Sequence, residues 1–554
     1  MRNRLLRLAA YALVGVAAGL LASGIEWLTI SVLLDHLSEL DLWAQAIGPT
    51  VGLIIAAGLL RWLGRGLTPS TSEEYIRAYH ERRPVTRLRD LPSRLLAGCF
   101  TIGLGGTMGL EGPSIYAGST VGASIQHRLA WLFAGKHAKM LLVAGAAAGV
   151  AAIFKTPATG VLFALEAPYL GDVARRSLLP ALIASATSYI TFITIWDTRP
   201  IFPAIGGSGF LAGFGRSELV GAVAIGLLAA VGAVVFARLV KWAKRIQSTQ
   251  PLWLRIGAAG IVLAGLAVFT NEVAGEPLTI GPGVPVFDWV REEPRAIWLL
   301  LVVLAARMLG TTATMAGGGA GGLFFPLAVC GILVGDLVAD LLDLSFGPTR
   351  LSASTFFASI GIAAFLGAGY RTPLAAVMFV AESTGETKFV VPALIAVAVS
   401  QVVVGRNSVS SFQTDTRVGH LERRFGMPIA SVLQTEVDTV TSDATVSDYF
   451  WMHALAKRQL SSVVVDDGSY AGLVQVSDAV SQDRDTWSIT TVAEIMRRDV
   501  RPARLSWTLR EATAAIEEHD LDQLPVVDAG GRLVGVVTQD DILRLDELLE
   551  ETEG

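Results

Sequence analysis

The sequence predicts a polytopic, all-α membrane protein built from two repeated halves, followed by a soluble α/β tail. Long apolar stretches, an internal duplication and a change of character near residue 415 carry that prediction. Of the 554 residues, 52% are hydrophobic and 17% are charged, and mean hydropathy is +0.53. Soluble domains are about a quarter charged. Residues 8–34, 48–63, 139–168, 176–196, 217–241, 254–270, 296–320 and 354–381 are each largely free of charge. Several reach the roughly 20 residues that a helix needs to cross a hydrocarbon core. Others are short or broken by Gly and Pro, as expected of tilted or re-entrant helices inside the protein. Arg2, Arg4 and Arg7 precede an apolar run longer than a signal-peptide core, so an uncleaved, cytoplasmic N-terminus is expected.

The duplication lies within residues 1–414, with halves at about 45–200 and 215–410. "GAAAGVAAIFKTPATGVLFALE" (145–166) aligns without gaps to "GIAAFLGAGYRTPLAAVMFVAE" (361–382), with nine of 22 positions identical. Thr156, Pro157 and Glu166 match Thr372, Pro373 and Glu382, and Lys155 faces Arg371. Upstream, "PSIYAGSTVG" from Pro113 and "PLAVCGILVG" from Pro326 both read P-x4-G-x3-G. Paired halves with interrupted helices mark transporters whose site lies between inverted repeats near the midplane.

Residues 415–554 read as a soluble domain, itself doubled at about 428–482 and 492–548. "QLSSVVVDDGSYAGLVQVSD" (459–478) and "DQLPVVDAGGRLVGVVTQDD" (522–541) share strand, turn, strand, then Gly and an Asp six residues later. Two βαββα units are the natural reading.

Before the matched prolines stand "GTMGLEGP" (106–113) and "GGGAGGLFFP" (317–326). Glycine lets backbone amides approach a ligand, and proline sits readily in a helix's first turn. Two helix N-termini converging there would hold an anion weakly enough for it to leave again. Close helix packing through small residues is the competing explanation of the glycines. Glu111 tips the balance: a carboxylate at the bilayer centre costs about 2.5–3.5 kcal/mol, and helix N-termini are what offsets it. Glu111 is therefore read as a gate that competes with a permeant anion and is released by protonation or rotation.

These motifs resemble the CLC family of chloride channels and chloride/proton antiporters over nearly the whole chain. "GLEGP" (109–113) resembles the family's G-[KR]-E-G-P, "GGLFFP" (321–326) its G-x-F-x-P, and the tail a CBS pair. The resemblance implies the CLC fold and a homodimer with one pore per subunit. It implies that Glu111 is the gating glutamate and that amides of Leu323 and Phe324 bind the central chloride. An outer chloride would lie on amides around Leu110–Gly112. The family's G-S-G-I-P aligns to Pro69–Glu73, making Ser70 the hydroxyl donor, with Ser72 as substitute and an N-cap role for the cluster as the alternative. Leu110 stands where the family has a basic residue, and Ser410 where it has a central tyrosine, implying a wetter inner gate.

After "GVLFALE" antiporters often carry consecutive acids; here Glu166 is followed by Ala167. Ala167 cannot carry a proton, so the resemblance leans toward passive, channel-like chloride conduction, with chloride/proton antiport as the alternative. Glu166 stays a proton-path candidate, although its repeat partner Glu382 suggests that both bond helix ends. The fluoride-selective branch of the family carries other motif variants. In the tail, the resemblance makes Asp478, Thr538 and Asp541 candidates for an adenine nucleotide (ATP, ADP or AMP), against a purely structural role. No cofactor is required, and a multi-pass protein of a prokaryotic plasma membrane with a cytoplasmic tail is expected.

Other classes find little support. The histidines (36, 80, 127, 137, 420, 453 and 519) form no H-E-x-x-H set, "VGD" (334–336) is too short for an aspartyl protease, and no phosphate-binding loop exists to power a pump. Cys99 and Cys330 sit in apolar surroundings and imply neither a disulfide nor a metal site. A metal-ion transporter would need more membrane acids than Glu111, Glu166 and Glu382. Nothing points to nucleic acid.

Overall fold

The computed structural model describes residues 2–81, 87–133, 139–198, 202, 216–346, 356–414, 426–519, 521–542 and 544–545, and in them the helices follow the apolar runs. Two compact units result, Met1–Arg417 and Val418–Gly554. The first has helices and no β-strand among its described residues, and eight of those helices are long and apolar enough to cross a membrane. Four shorter apolar helices, Met140–Phe154, Pro157–Glu166, Phe356–Tyr370 and Pro373–Thr384, are the duplicated segments. At 1.5 Å per residue even a 15-residue helix spans about 22 Å, short of the roughly 30 Å core. Such helices survive because protein surrounds them: every residue of Met140–Phe154 and of Phe356–Tyr370 is buried. This is why they show no polar face.

Each short pair is broken in the same way. Lys155 (φ 55°) and Arg371 (φ 59°) end their helices in the left-handed region. The Thr-Pro that follows restarts the chain, with Thr156 and Thr372 held extended before the proline and the prolines at the start of the next helix.

The P-x4-G-x3-G motif has a packing cause. The Glu111–Arg128 helix crosses Met140–Phe154 where Gly118 meets Gly145, and Phe324–Phe346 crosses Phe356–Tyr370 where Gly331 meets Gly361. A Cβ on Gly118 would lie 2.0 Å from the Gly145 carbonyl oxygen, and one on Gly331 2.4 Å from that of Gly361. The second glycines, Gly122 and Gly335, meet the backbone carbonyls of Leu141 and Phe357 at 1.9 and 2.1 Å on the same construction. Backbones touching at these crossings leave room for no side chain.

In the second unit, two three-stranded sheets repeat one topology. Thr439–Val440 pairs parallel with Ser461–Asp466, which turns back antiparallel into Ser469–Gln475. Ala503–Arg504, Gln523–Val527 and Leu533–Thr538 do the same, each hairpin carrying an irregularity after its fourth partner or near it, at Val464/Val465 and Val526/Val527. The Asp467-Gly468 turn has positive φ at both residues, as a tight hairpin demands. Val463 and Leu473 of the first copy pack in one core with Leu524, Val526 and Val536 of the second. The two copies are one folded body.

Gly118→Val and Gly331→Val are expected to cost more than the about 1–3 kcal/mol of ordinary overpacking, because the obstacle is backbone. Size-exclusion profiles and thermal unfolding in detergent should show loss of folded protein. Gly257→Ala and Gly265→Ala, which meet nothing within 4 Å, should leave both unchanged.

Candidate functional site

The two glycine-rich segments meet. Gly109 and Gly322 form an isolated antiparallel bridge, with Gly109 N donating to Gly322 O at 3.0 Å and Gly322 N to Gly109 O at 2.7 Å. This places Gly109-Leu110-Glu111-Gly112-Pro113 against Gly322-Leu323-Phe324-Phe325-Pro326, and helices start at Glu111 and at Phe324. Glu111 thus corresponds to Phe324 across the repeat. Its fully buried carboxylate reaches over the bridge: Oε1 accepts from Phe324 N at 2.6 Å and, more weakly, from Phe325 N at 3.4 Å. Oε2 accepts no hydrogen bond from the protein. A Cβ at Gly109 or Gly322 would lie 2.0 Å from a carboxylate oxygen, so glycine at both places makes the pocket that holds it.

The donor helix is anchored by an aromatic cage. The Phe324 ring lies 4.6 Å from Phe154, 4.9 Å from Phe379, 5.5 Å from Phe163 and 6.5 Å from Tyr370, centroid to centroid. Phe163 and Phe379 are repeat partners, each three residues before its glutamate.

A cavity of about 70 Å³ is lined by Ser70, Thr71, Ser72, Glu73, Lys244, Leu323, Tyr370 and Ser410, among others. Ser70 Oγ is buried and has no protein partner, and Thr71 and Ser72 supply no side-chain cap to the Ser72–His80 helix. Thr71 Oγ1 instead donates to Gly321 O at 2.8 Å, tying the serine segment to the second glycine loop. Leu323 lines the cavity one residue before the amides that Glu111 engages. Leu110 is the N-cap of the Glu111–Arg128 helix, and Gly112 packs against Thr71 and the Gly321-Gly322 backbone.

Two residues of this site escape a sequence reading. Phe325 is the second donor to Glu111, one position beyond the expected pair. Tyr370, fully buried at the end of Phe356–Tyr370, lines the cavity with Ser72 and Leu323, and its hydroxyl has no hydrogen-bond partner in the protein. Ser410, expected in the tyrosine's place, lines the same cavity; its Oγ accepts from Phe412 N at 3.3 Å, which leaves its hydroxyl proton to donate. A tyrosine hydroxyl, that of Tyr370, is present beside it, from a different helix. Its only sequence signal is a polar aromatic at the end of a run of small apolar residues.

Glu166 and Glu382 cap each other's repeat. Glu166 accepts from Leu374 N at 3.1 Å and Ala375 N at 2.9 Å. Glu382 accepts from Ala158 N at 2.9 Å, Thr159 N at 2.7 Å and the Thr159 hydroxyl at 2.7 Å. Each carboxylate satisfies the orphan amides of a helix begun by the other half's Thr-Pro.

In the tail, Asp478 and Asp541 act as capping residues. Asp478 Oδ2 accepts from Gln475 N at 3.0 Å. Asp541 Oδ2 accepts from Thr538 N at 3.0 Å and the Thr538 hydroxyl at 2.6 Å, while Oδ1 accepts from Gln434 Nε2 at 2.6 Å. The T-x-x-D spacing is a capping-box signal legible in the sequence. Among the described residues no group of His, Cys, Asp or Glu could hold a metal ion; His137 and His420 lie outside them.

A duplicated helical membrane unit with helix ends converging on a buried carboxylate is the frame of a membrane transport protein. Residues 51–405 match the family model of the voltage gated chloride channel, and residues 492–547 that of the CBS domain. The chain belongs to this chloride channel family, the CLC proteins. A putative chloride channel protein ClcB-like of Ralstonia nicotianae is 24% identical over 361 residues, 64% of this chain and 81% of that protein. A chloride/fluoride channel protein of Pseudomonas syringae pv. tomato is 26% identical over 433 residues, 75% of this chain and 88% of the relative. Among solved structures, a slow cyanobacterial Cl−/H+ antiporter superposes with TM-score 0.62 at 21% identity, over 72% of this chain and 94% of its own. A eukaryotic CLC transporter gives TM-score 0.59 at 16% identity, over 98% of this chain and 99% of its own.

Replacing Glu166 or Glu382 by Ala should destabilise the membrane unit by similar amounts, about 1–3 kcal/mol each for buried amides left unpaired. Thermal unfolding of the two variants checks it; loss in one alone would break the reciprocity.

Proposed function

We propose that this protein moves chloride across the membrane through a path in each subunit that Glu111 gates, by channel-like conduction in preference to chloride/proton exchange. The observation that carries the reading is the Glu111 carboxylate on the Phe324 amide: a tethered anion seated on a helix N-terminus where a permeant anion would sit. A hydrogen bond to a charged group contributes about 1.5–3 kcal/mol, close to the about 2.5–3.5 kcal/mol cost of a charge at this depth. With one strong bond and one weak one, the carboxylate holds its place with little surplus, and a chloride can displace it. Protonation would remove the charge that the amides hold.

The hydroxyls of Ser70 and Tyr370 and the backbone at Leu323 are proposed to hold the anion in the adjoining cavity before it meets Glu111. Conduction is favoured because Ala167 carries no proton and Glu166 spends both oxygens on backbone amides. Chloride/proton antiport is the second reading, supported by the cyanobacterial antiporter among the structural neighbours. A fluoride/proton antiporter also superposes, with TM-score 0.63 at 22% identity, so fluoride belongs in the same assay. Each chain holds every site residue named here, which suits a homodimer with one path per subunit. A bacterial inner membrane with the tail in the cytoplasm is the proposed setting.

Chloride or fluoride efflux from proteoliposomes, with external pH recorded, tests the reading on the native protein and Glu111→Gln. Glu111→Gln should make displacement about 10- to 100-fold easier, the equivalent of one charge-assisted bond. Chloride flux without stoichiometric protons supports conduction. A fixed proton ratio lost in the variant makes the protein an antiporter despite Ala167. No anion flux from either protein sinks the transport reading.

The tail is proposed to bind an adenine nucleotide whose ribose hydroxyls replace the Thr538 hydroxyl on Asp541. Calorimetric titration of the full chain with AMP and ATP should give binding that Asp541→Ala loses; absence of heat for both ligands makes the tail a structural module.

A further inference from the structure

The wall of the cavity holds one ion pair, between residues that the sequence motifs leave without a role. Lys244, near the end of the Arg216–Thr249 helix, places its ammonium 2.7 Å from Glu73 Oε1, 2.9 Å from Val409 O and 2.9 Å from Ser411 Oγ. Glu73 Oε1 also accepts from Ser411 N at 2.8 Å. Both side chains line the cavity and both keep contact with solvent, with 23% and 17% of their surface exposed. The same wall contains Ser70 Oγ, buried with no protein partner, and the exposed Thr68 marks the mouth. Glu73 stands at the place that the family's G-S-G-I-P gives to proline.

An ion pair here is a charge problem. A lone carboxylate in the wall would repel an anion and a lone ammonium would hold it, and with both side chains only partly exposed neither charge is screened as fully as in water. The pair cancels both. It also repeats the logic of Glu111, because a carboxylate occupies a group that would otherwise bind a free anion. When an incoming anion replaces Glu73 on Lys244, the ammonium keeps a counter-charge throughout, and the released carboxylate turns to the solvent that its side chain already touches.

We propose that Lys244 is an anion-docking site at the mouth of the cavity, with Glu73 as its tethered competitor. Resting on the transport reading, this adds an entry station ahead of Ser70 and Tyr370. The anion takes the place of the Glu73 carboxylate on the ammonium, while Val409 O and Ser411 Oγ keep the lysine in position.

Bromide binding to the detergent-purified full chain, measured by calorimetry, tests the site apart from transport; the chloride dependence of proteoliposome flux tests its place on the path. Glu73→Gln should tighten bromide binding and lower the half-saturating chloride about tenfold, and Lys244→Met should weaken both by about as much, each tenfold shift being about 1.4 kcal/mol. The double variant Glu73→Gln/Lys244→Met should bind as weakly as Lys244→Met, because removing the competitor gains nothing once the ammonium is gone. A pair that is only a strut predicts another pattern: both single variants lose thermal stability, the double variant regains part of it because no unpaired charge is left, and none of the three shifts halide affinity. That result overturns the proposal, as do unchanged halide curves in stable variants. Native protein that binds bromide with these shifts yet passes no anion would refute the transport reading and leave the docking site standing.

Discussion

A carboxylate lying on the amide end of a buried helix is the interaction around which the membrane unit is arranged. It needs a helix to begin at Phe324 in the interior of the unit, where water cannot satisfy its first amides. It needs a second helix to begin at Glu111, close enough for one side chain to span the gap. The Gly109–Gly322 bridge meets both needs by joining the two loops through backbone alone. The aromatic cage around Phe324 then fixes the donor, and the glycines leave volume for the acceptor.

The frame that carries this site is held by paired devices. Glycine crossings set the distance between helices in each half, and the Glu166 and Glu382 caps tie each half's broken helix to the other half. Short helices of 10 to 15 residues would be poor structures in isolation. They persist because their ends are satisfied by side chains contributed across the repeat, so the two halves depend on each other to fold.

Much of this was written plainly in the chain. The apolar runs gave the helices, the Thr-Pro breaks gave their interruptions, and the duplicated segments placed Glu166 opposite Glu382 before any contact was known. Glu111 stood out because a charge among glycines in an apolar chain needs a reason. What stayed hidden depended on direction in space. Phe325 donates because the carboxylate approaches the helix end from one side, which no spacing encodes. Tyr370 reaches the cavity from the end of a helix whose sequence shows only that it is buried. Lys244 sits near the end of a 34-residue helix, where a lysine is ordinarily a solvated residue. In the tail, the strands and turns were legible, and the capping use of Asp478 and Asp541 was legible too, from the three-residue spacing that a ligand-based reading passed over.

The correspondence of Gly-Leu-Glu-Gly-Pro with Gly-Leu-Phe-Phe-Pro has a kinetic meaning. A frame with near two-fold symmetry would present the same face to ions arriving from either end. Here the symmetry is broken at two adjacent positions, Glu111 against Phe324 and Gly112 against Phe325: one half offers amides, the other a carboxylate that covers them. On the proposed path an ion from the cavity end would first meet Lys244 and the hydroxyls, and one from the opposite end the Glu111 carboxylate. On that proposed path the two entry barriers would be unequal, and rectification would follow from a carboxylate placed in one half and omitted from the other.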